Sequence, residues 1–90
     1  MKTTHVIVEG RVQGVFFRDY ACRQAHRLNL CGWVRNKADG TVEALFTGAE
    51  SDVAAMLEWL WQGSPGSRVK AVRSRDVTPE EESTTFEIRY

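Results

Sequence analysis

The chain has few of the residues from which small proteins build metal centres, redox sites or disulfide frameworks. Its 90 residues include two cysteines, Cys22 and Cys31, and two histidines, His5 and His26. Two cysteines make no disulfide framework and these lack zinc-ligand spacing, while neither histidine has neighbours that complete a ligand set. Cys22 is expected in mid-helix and Cys31 past that helix's end, where a bridge needs the chain to double back closely, so free structural thiols are expected. The histidines read as a strand-edge residue and a solvated helix residue. Charge of one sign is also lacking. Twelve Lys and Arg balance twelve Asp and Glu, so no global field draws the protein to nucleic acid or membrane, and anion recognition has to be local. No stretch approaches ~18 apolar residues, and Met1–His5 leads into a strand-like run without an apolar leader. These absences lead us to expect a soluble cytoplasmic protein, with residues 1–90 forming one small domain around one core and 42% of them hydrophobic.

What is present is concentrated near the start. Gly10-Arg11-Val12-Gln13-Gly14-Val15-Phe16-Phe17-Arg18 is a glycine-bracketed turn joining the β-branched run Val6-Ile7-Val8 to an amphipathic helix that begins at about Phe16. A strand that stops at Gly10 and re-forms as a helix leaves several backbone N–H groups without partners, aimed at one point in front of the helix. That is an anion cradle, and its residues Arg11, Val12, Gln13, Gly14, Val15, Phe16 and Phe17 are the candidate substrate-binding set. Arg18 falls in the first turn of the helix, where the macrodipole already carries roughly half a positive charge. Two readings are open: the side chain points into solvent at a cost of about 0.3–1 kcal/mol, or an anion sits between guanidinium and amides and offsets both.

Phe17, Tyr20, Ala21, Gln24, Ala25 and Leu28 recur at steps of three and four, one face of a helix that Asn29 ends. Gly32–Asn36 reads as a second strand, Lys37-Ala38-Asp39-Gly40 as a hairpin turn, and Thr41–Thr47 as a third strand that alternates Val42, Ala44 and Phe46 with Glu43, Leu45 and Thr47. Glu50, Ser51 and Asp52 supply capping and acidic first-turn residues for a second helix with the stripe Val53, Met56, Leu57 and Leu60. Trp59 and Trp61 flank that stripe as the expected rim of its packing, and Gly63-Ser64-Pro65-Gly66 stops it. A fourth strand is expected over Arg68–Val77, then a polar loop from Thr78 to Glu82, then a last strand alternating Phe86, Ile88 and Tyr90 with Glu87 and Arg89. The order is βαββαβ with an additional short strand. Right-handed crossovers and a paired hairpin make the economical solution an α+β, ferredoxin-like sandwich: one antiparallel sheet with both helices on one face. The first two strands then run parallel, and Asn36 comes near the Gly10–Arg18 cradle.

The set lacks the parts of covalent or metal-assisted phosphate chemistry. Position 12 is valine rather than cysteine, no Asp or His lies in the loop, and Asp19 is expected to point a different way round the helix from Arg18. What remains is positioning and electrostatics. Loop amides and Arg18 can neutralise a phosphoryl group, and Asn36 can hold a water in line with phosphorus but cannot take a proton at neutral pH. A carboxylic–phosphoric mixed anhydride suits such a site, because its carboxylate leaves without a general acid.

At this point the residues resemble a known family. Gly10-Arg11-Val12-Gln13-Gly14-Val15-x-Phe17-Arg18, then Gly32-Trp33-Val34-x-Asn36, then Asp39-Gly40-Thr41-Val42-Glu43, and the closing Phe86-x-Ile88-Arg89-Tyr90 resemble acylphosphatase, in family order and spacing over essentially the whole chain. The resemblance implies an acylphosphate phosphohydrolase of ferredoxin-like fold, with Arg18 as the phosphate-binding arginine and Asn36 as the water-orienting asparagine. It also implies no metal or other cofactor, a small-molecule acyl phosphate as substrate, and inorganic phosphate as product and inhibitor; a monomer is expected, without nucleic-acid or membrane partners. Phe16 stands where the motif is open and widens the apolar wall beside the cradle, and Ala49 replaces the proline that often begins the second helix in this family. Thr41 either orients Asn36 across the hairpin or is a solvated strand threonine.

Two other classes fit part of this residue set. Arg68, Lys70, Arg73 and Arg75 make the fourth strand locally basic, but their parity changes between Lys70 and Arg73, and the paired stacking aromatics of an RNA-binding sheet are absent. A non-catalytic domain binding a phosphorylated metabolite could use the same cradle, yet would have no use for a water-positioning amide.

Overall fold

A computed structural model describes residues 1–79 and 83–90. Of the polar loop expected over 78–82, residues 80–82 lie outside the described residues. The elements follow the order β1 (Lys2–Arg11), α1 (Phe17–Arg27), β2 (Cys31–Asn36), β3 (Val42–Gly48), α2 (Glu50–Gln62), β4 (Arg68–Asp76) and β5 (Phe86–Arg89). The five strands form one sheet in the order β4-β1-β3-β2-β5. β1 pairs antiparallel with β3 and β4, and β2 pairs antiparallel with β3, as a ferredoxin-like sandwich requires. The sheet is nevertheless mixed. The short fifth strand pairs parallel with β2, Gly32 against Phe86 and Val34 against Ile88, which corrects the expectation of a wholly antiparallel sheet.

Alternation along the strands fixes which face meets the helices. Val6 and Val8, Val42, Ala44 and Phe46, Val34 and Phe86 face inward against Phe17, Ala21 and Ala25 of α1 and Val53, Met56 and Leu60 of α2, forming one core. Phe46 and Phe86 stack nearly parallel across the sheet, with ring centroids 5.3 Å apart. Trp59 tilts against Phe17 at 6.0 Å as a rim residue, whereas Trp61 stands 55% exposed on the outer side of α2 and not at the rim.

Asn29 ends α1 by taking a left-handed backbone conformation, φ +55°. The Leu30 amide then donates back to the Ala25 carbonyl and the Asn29 amide to that of His26, the Schellman arrangement that closes the last carbonyls of a helix. The start of α2 departs from expectation. No side chain caps it; the residue at the N-cap is Ala49, whose carbonyl accepts from the amides of Asp52 and Val53, while Glu50 and Asp52 supply first-turn acidity.

β1 is also longer than its apolar run. It does not stop at Gly10 but passes through a bulge at Glu9/Gly10 and ends at Arg11. Gly10 has φ +128°, and a Cβ there would lie 2.1 Å from the Arg68 carbonyl oxygen, so the bulge demands glycine on both counts. His5 lies in this interior strand, half-buried on the sheet face away from the helices, rather than at a strand edge. Since β1 and β2 are both antiparallel to β3, and β5 is parallel to β2, the carboxyl ends of β1, β2 and β5 emerge at one edge of the sheet.

Candidate active site

At that edge a cavity of about 370 Å³ is lined by Val12, Gly14, Phe16, Phe17, Arg18, Asp19, Asn36, Ile88 and Tyr90. It holds Arg18 and Asn36 together, with four of the seven candidate loop residues: Val12, Gly14, Phe16 and Phe17. Arg11, Gln13 and Val15 are not among its lining. Arg11 is exposed and pairs in register with Arg68 at the end of the β1–β4 ladder. Gln13 turns its carboxamide away, donating through Nε2 to the carbonyls of Lys37 at 2.7 Å and Thr41 at 2.8 Å. Val15 offers its carbonyl to Ser64 Oγ at 2.7 Å.

These three bonds tie the loop to two different elements. Gln13 fastens it to the β2–β3 hairpin beside Asn36, and the buried Ser64, just past the C-cap of α2, fastens it to the second helix. The hairpin is closed in turn: Lys37 donates to the Thr41 carbonyl, and Asp39 Oδ1 accepts from the Thr41 amide at 3.0 Å and hydroxyl at 2.6 Å. Those two bonds hold the Asp39 carboxyl below its ordinary range. They also engage the Thr41 hydroxyl with Asp39, so it does not orient Asn36.

The loop meets α1 in an unusual conformation. Gly14 has φ +75°, and Phe16, the N-cap, has φ +60°. A bulky residue in that region is an outlier that costs of order 1–3 kcal/mol and concentrates at ligand clamps. The helix has no side-chain cap. Its amides at Phe17, Arg18 and Asp19 have no intrahelical acceptor, and the first ladder bond runs from the Tyr20 amide to the Phe16 carbonyl. All three residues line the cavity, so the expected cradle is built by the strained loop and an uncapped helix N-terminus.

Arg18 is steadied from β5. Its Nη1 donates to the Arg89 carbonyl at 3.3 Å, and its guanidinium carbon lies 4.8 Å from the Tyr90 ring centroid. Among the described residues no carboxylate pairs with it. Asp19 is also among the lining residues, one position along the helix from Arg18. Asn36 contributes the other anomaly: its Oδ1 is buried and has no hydrogen-bond partner among the described residues. Leaving such an acceptor unpaired costs about 1–3 kcal/mol.

Sequence reasoning missed Ile88, Tyr90, the Arg89 carbonyl and Ser64. The Phe86–Tyr90 alternation signalled a strand, but its parallel pairing beside β2, which brings it to the cavity, has no local signature. The remaining nucleophilic groups lie outside. Burial, and then the charge of Asp19, push the Cys22 thiol above its ordinary value, and Cys22 and Cys31 are both free. His26 Nε2 lies 2.9 Å from the Phe86 carbonyl oxygen, so this exposed helix histidine is tied to β5 rather than merely solvated. No group of three or more His, Cys, Asp and Glu side chains able to hold a metal occurs among the described residues, and no helix there is long and apolar enough to cross a membrane.

Comparison with known proteins gives one consistent result. The sequence model of the family described as Acylphosphatase matches residues 4–88. An acylphosphatase from Synechococcus is 52% identical over 85 residues, 94% of this chain and 89% of its own length. One from Bordetella parapertussis is 51% identical over 74 residues, covering 82% of this chain and 79% of its own. The crystal structure of acylphosphatase from Bacillus subtilis superposes with a TM-score of 0.96 at 38% identity, with both chains fully covered.

Proposed function

The chain belongs to the acylphosphatase family and is an enzyme of that kind; from that premise we propose that it cleaves acyl phosphates by in-line attack of a water held by Asn36 on a phosphoryl group bound by Arg18 and the loop amides. The reading rests above all on the cavity that brings Asn36 and Arg18 together with the uncapped first turn of α1. An acceptor is what the step needs. A water that donates one hydrogen to Oδ1 keeps a lone pair directed at phosphorus, whereas a donor in that place would occupy the lone pair.

Bound phosphoryl oxygens face the guanidinium of Arg18 and the amides of the loop and first helical turn, donors already fixed by the Gln13 and Ser64 bonds. Such preorganised donors stabilise the charge carried through the transition state without rearranging during reaction. As the water oxygen bonds to phosphorus, the bond from phosphorus to the acyl oxygen breaks and its electron pair leaves on the carboxylate. The water's proton passes to a phosphate oxygen. Products are the carboxylate and inorganic phosphate, and no step calls on a protein acid or base.

With this reading go a single domain over residues 1–90, a monomer, metal-independent turnover, a cytoplasmic setting, and inorganic phosphate as a competitive inhibitor. The balance of 12 basic and 12 acidic residues supports a small-molecule rather than a nucleic-acid or membrane partner. The test is steady-state hydrolysis of acetyl phosphate and benzoyl phosphate by the purified protein with a metal chelator present. Chelator-insensitive turnover, competitively inhibited by inorganic phosphate, is expected. Absence of hydrolysis would overturn the function, and loss of turnover on chelation would overturn its metal independence.

A further inference from the structure

Val15 stands apart from its neighbours in the loop. Gly14 and Phe16 line the cavity, whereas Val15 turns both its side chain and its carbonyl towards the segment that follows α2. The side chain lies against Gly66, where a Cβ would come 3.5 Å from Val15 Cγ1, and the carbonyl accepts from Ser64 Oγ at 2.7 Å. Ser64 is itself fixed. It is buried and outside the cavity lining, and its own carbonyl accepts from the Ser67 amide at 2.9 Å and the Ser67 hydroxyl at 2.7 Å. In a planar trans peptide the carbonyl of one residue and the N–H of the next point in opposite directions. The Val15–Phe16 peptide is trans, so the bond that draws the Val15 carbonyl to the α2 side turns the Phe16 N–H the other way, towards the cavity that Phe16 lines. That N–H donates to no acceptor among the described residues.

We propose that Ser64 is a positioning residue of the phosphate cradle: by holding the Val15 carbonyl it aims the Phe16 amide at the phosphoryl group. The role rests on the acyl phosphate reading and adds to it a further amide beside those of Phe17, Arg18 and Asp19. Ser64 itself touches neither phosphate nor water. Without its hydroxyl the Val15–Phe16 peptide is free to turn about the bonds that flank it, and the φ of +60° at Phe16 gives it reason to, because a bulky residue is disfavoured there. Such a rotation relieves the strain and carries the N–H out of the cradle. The Ser64 bond keeps in place a conformation that the local sequence disfavours and the site needs.

The experiment compares the unaltered enzyme with Ser64→Ala and Ser67→Ala. It measures the inhibition constant of inorganic phosphate, kcat/KM for acetyl phosphate, and the proton–nitrogen NMR resonance of the Phe16 amide as inorganic phosphate is added. Ser67→Ala removes a hydroxyl bond within the same turn and none to the loop, so it reports the effect of loosening the turn alone. In the unaltered enzyme the Phe16 resonance is expected to move downfield with phosphate, as an amide gaining a hydrogen bond does. In Ser64→Ala that shift is expected to vanish, the inhibition constant to rise about tenfold and kcat/KM to fall about tenfold, the loss of one donor to a charged group. Ser67→Ala is expected to stay within twofold on both constants, although both variants melt at lower temperature. A folded Ser64→Ala enzyme with its phosphate inhibition constant within twofold of the unaltered one, or an equal loss in Ser67→Ala, would overturn the role while leaving hydrolysis itself established. So would a Phe16 resonance that phosphate leaves unmoved in the unaltered enzyme, a result that stands even where Ser64→Ala does not fold. If the unaltered enzyme neither hydrolysed acetyl phosphate nor bound inorganic phosphate, the role would fall together with the function on which it rests.

Discussion

The outer face of this sheet and the edge that carries the cavity treat their polar groups in opposite ways. On the face away from the helices, polar side chains are matched in pairs. Glu43 accepts from His5 at 2.7 Å and from Arg35 at 2.6 Å, the Thr3 and Thr47 hydroxyls meet at 2.8 Å, Arg73 bonds Glu9, and Arg89 bonds Glu87 at 3.0 Å. Arg35 and Arg89 also both stack over Trp33. At the cavity edge the opposite holds: Asn36 Oδ1 is unpartnered, the first-turn amides of α1 are uncapped, and Phe16 is in a conformation its side chain disfavours. Where chemistry only has to hold the fold, most of these polar side chains find partners. Where it has to meet a substrate, capacity is left open, and the strain is supported by groups such as Gln13 and Ser64 that are themselves hydrogen-bonded.

The contrast is tested most severely by removing the cavity's cation. Arg18→Gln is expected to abolish measurable turnover and to weaken inorganic phosphate binding by tenfold or more, since a charge-assisted hydrogen bond contributes roughly 1.5–3 kcal/mol. Thermal melts supply an independent reading. A ligand that binds only the folded state stabilises it by about 2.7 kcal/mol at a hundredfold excess over Kd, so phosphate should raise the melting temperature of the unaltered protein above that in chloride of equal ionic strength. The variant should lose that difference. Phosphate affinity within twofold of the unaltered protein would remove Arg18 from the site.

A smaller effect is expected on the paired face. Burial raises the Glu43 carboxyl, but the hydrogen bonds from His5 and Arg35 and their charges outweigh it, and the group lies below its ordinary value in the folded protein. A carboxyl lowered on folding contributes stability at pH above its unfolded pKa and loses that contribution as pH falls through its folded pKa. Glu43→Gln should therefore lower the melting temperature at neutral pH by about 4–8 °C, the shift that ~1 kcal/mol makes in a domain of this size. The variant and the unaltered protein should converge as pH falls through the folded-state pKa of Glu43, which lies under the ordinary carboxyl value, because protonation there removes the carboxylate. Its kcat should change little. A large loss of kcat, or a melting difference that persists undiminished at low pH, would mean that the paired face is not the purely structural region described here.

Much of this was legible in the chain, for reasons that differ by element. The stripes of α1 and α2, the β3 alternation and the Asp39-Gly40 hairpin are local periodicities or turn chemistry, and each falls within a residue or two of its observed position. The cradle and its nearness to Asn36 follow from topology, because β1 and β2 must both oppose β3. The rest depends on groups far apart in sequence. Arg18 meets the Arg89 carbonyl 71 residues away, and Ser64 meets Val15 across 49. The parallel β2–β5 pairing has no turn that dictates it, so neither the mixed sheet nor the apolar wall at Ile88 and Tyr90 could be read locally. Gln13 shows the same limit within the loop: its position marks it as a site residue, yet its two donor bonds make it a fastening for the loop.

The central claim is that the unpartnered Asn36 amide is kept for the attacking water, and Asn36→Ala tests it most directly when kcat for benzoyl phosphate and the inhibition constant for inorganic phosphate are measured on the same preparation. The account predicts a folded variant whose kcat falls about 10²–10³-fold, as on deleting one preorganised polar group, while phosphate inhibition stays within about threefold of the unaltered enzyme. Removing a buried acceptor that has no partner should also leave the melting temperature unchanged or raise it. A folded variant that binds phosphate and keeps near-normal kcat would contradict the account.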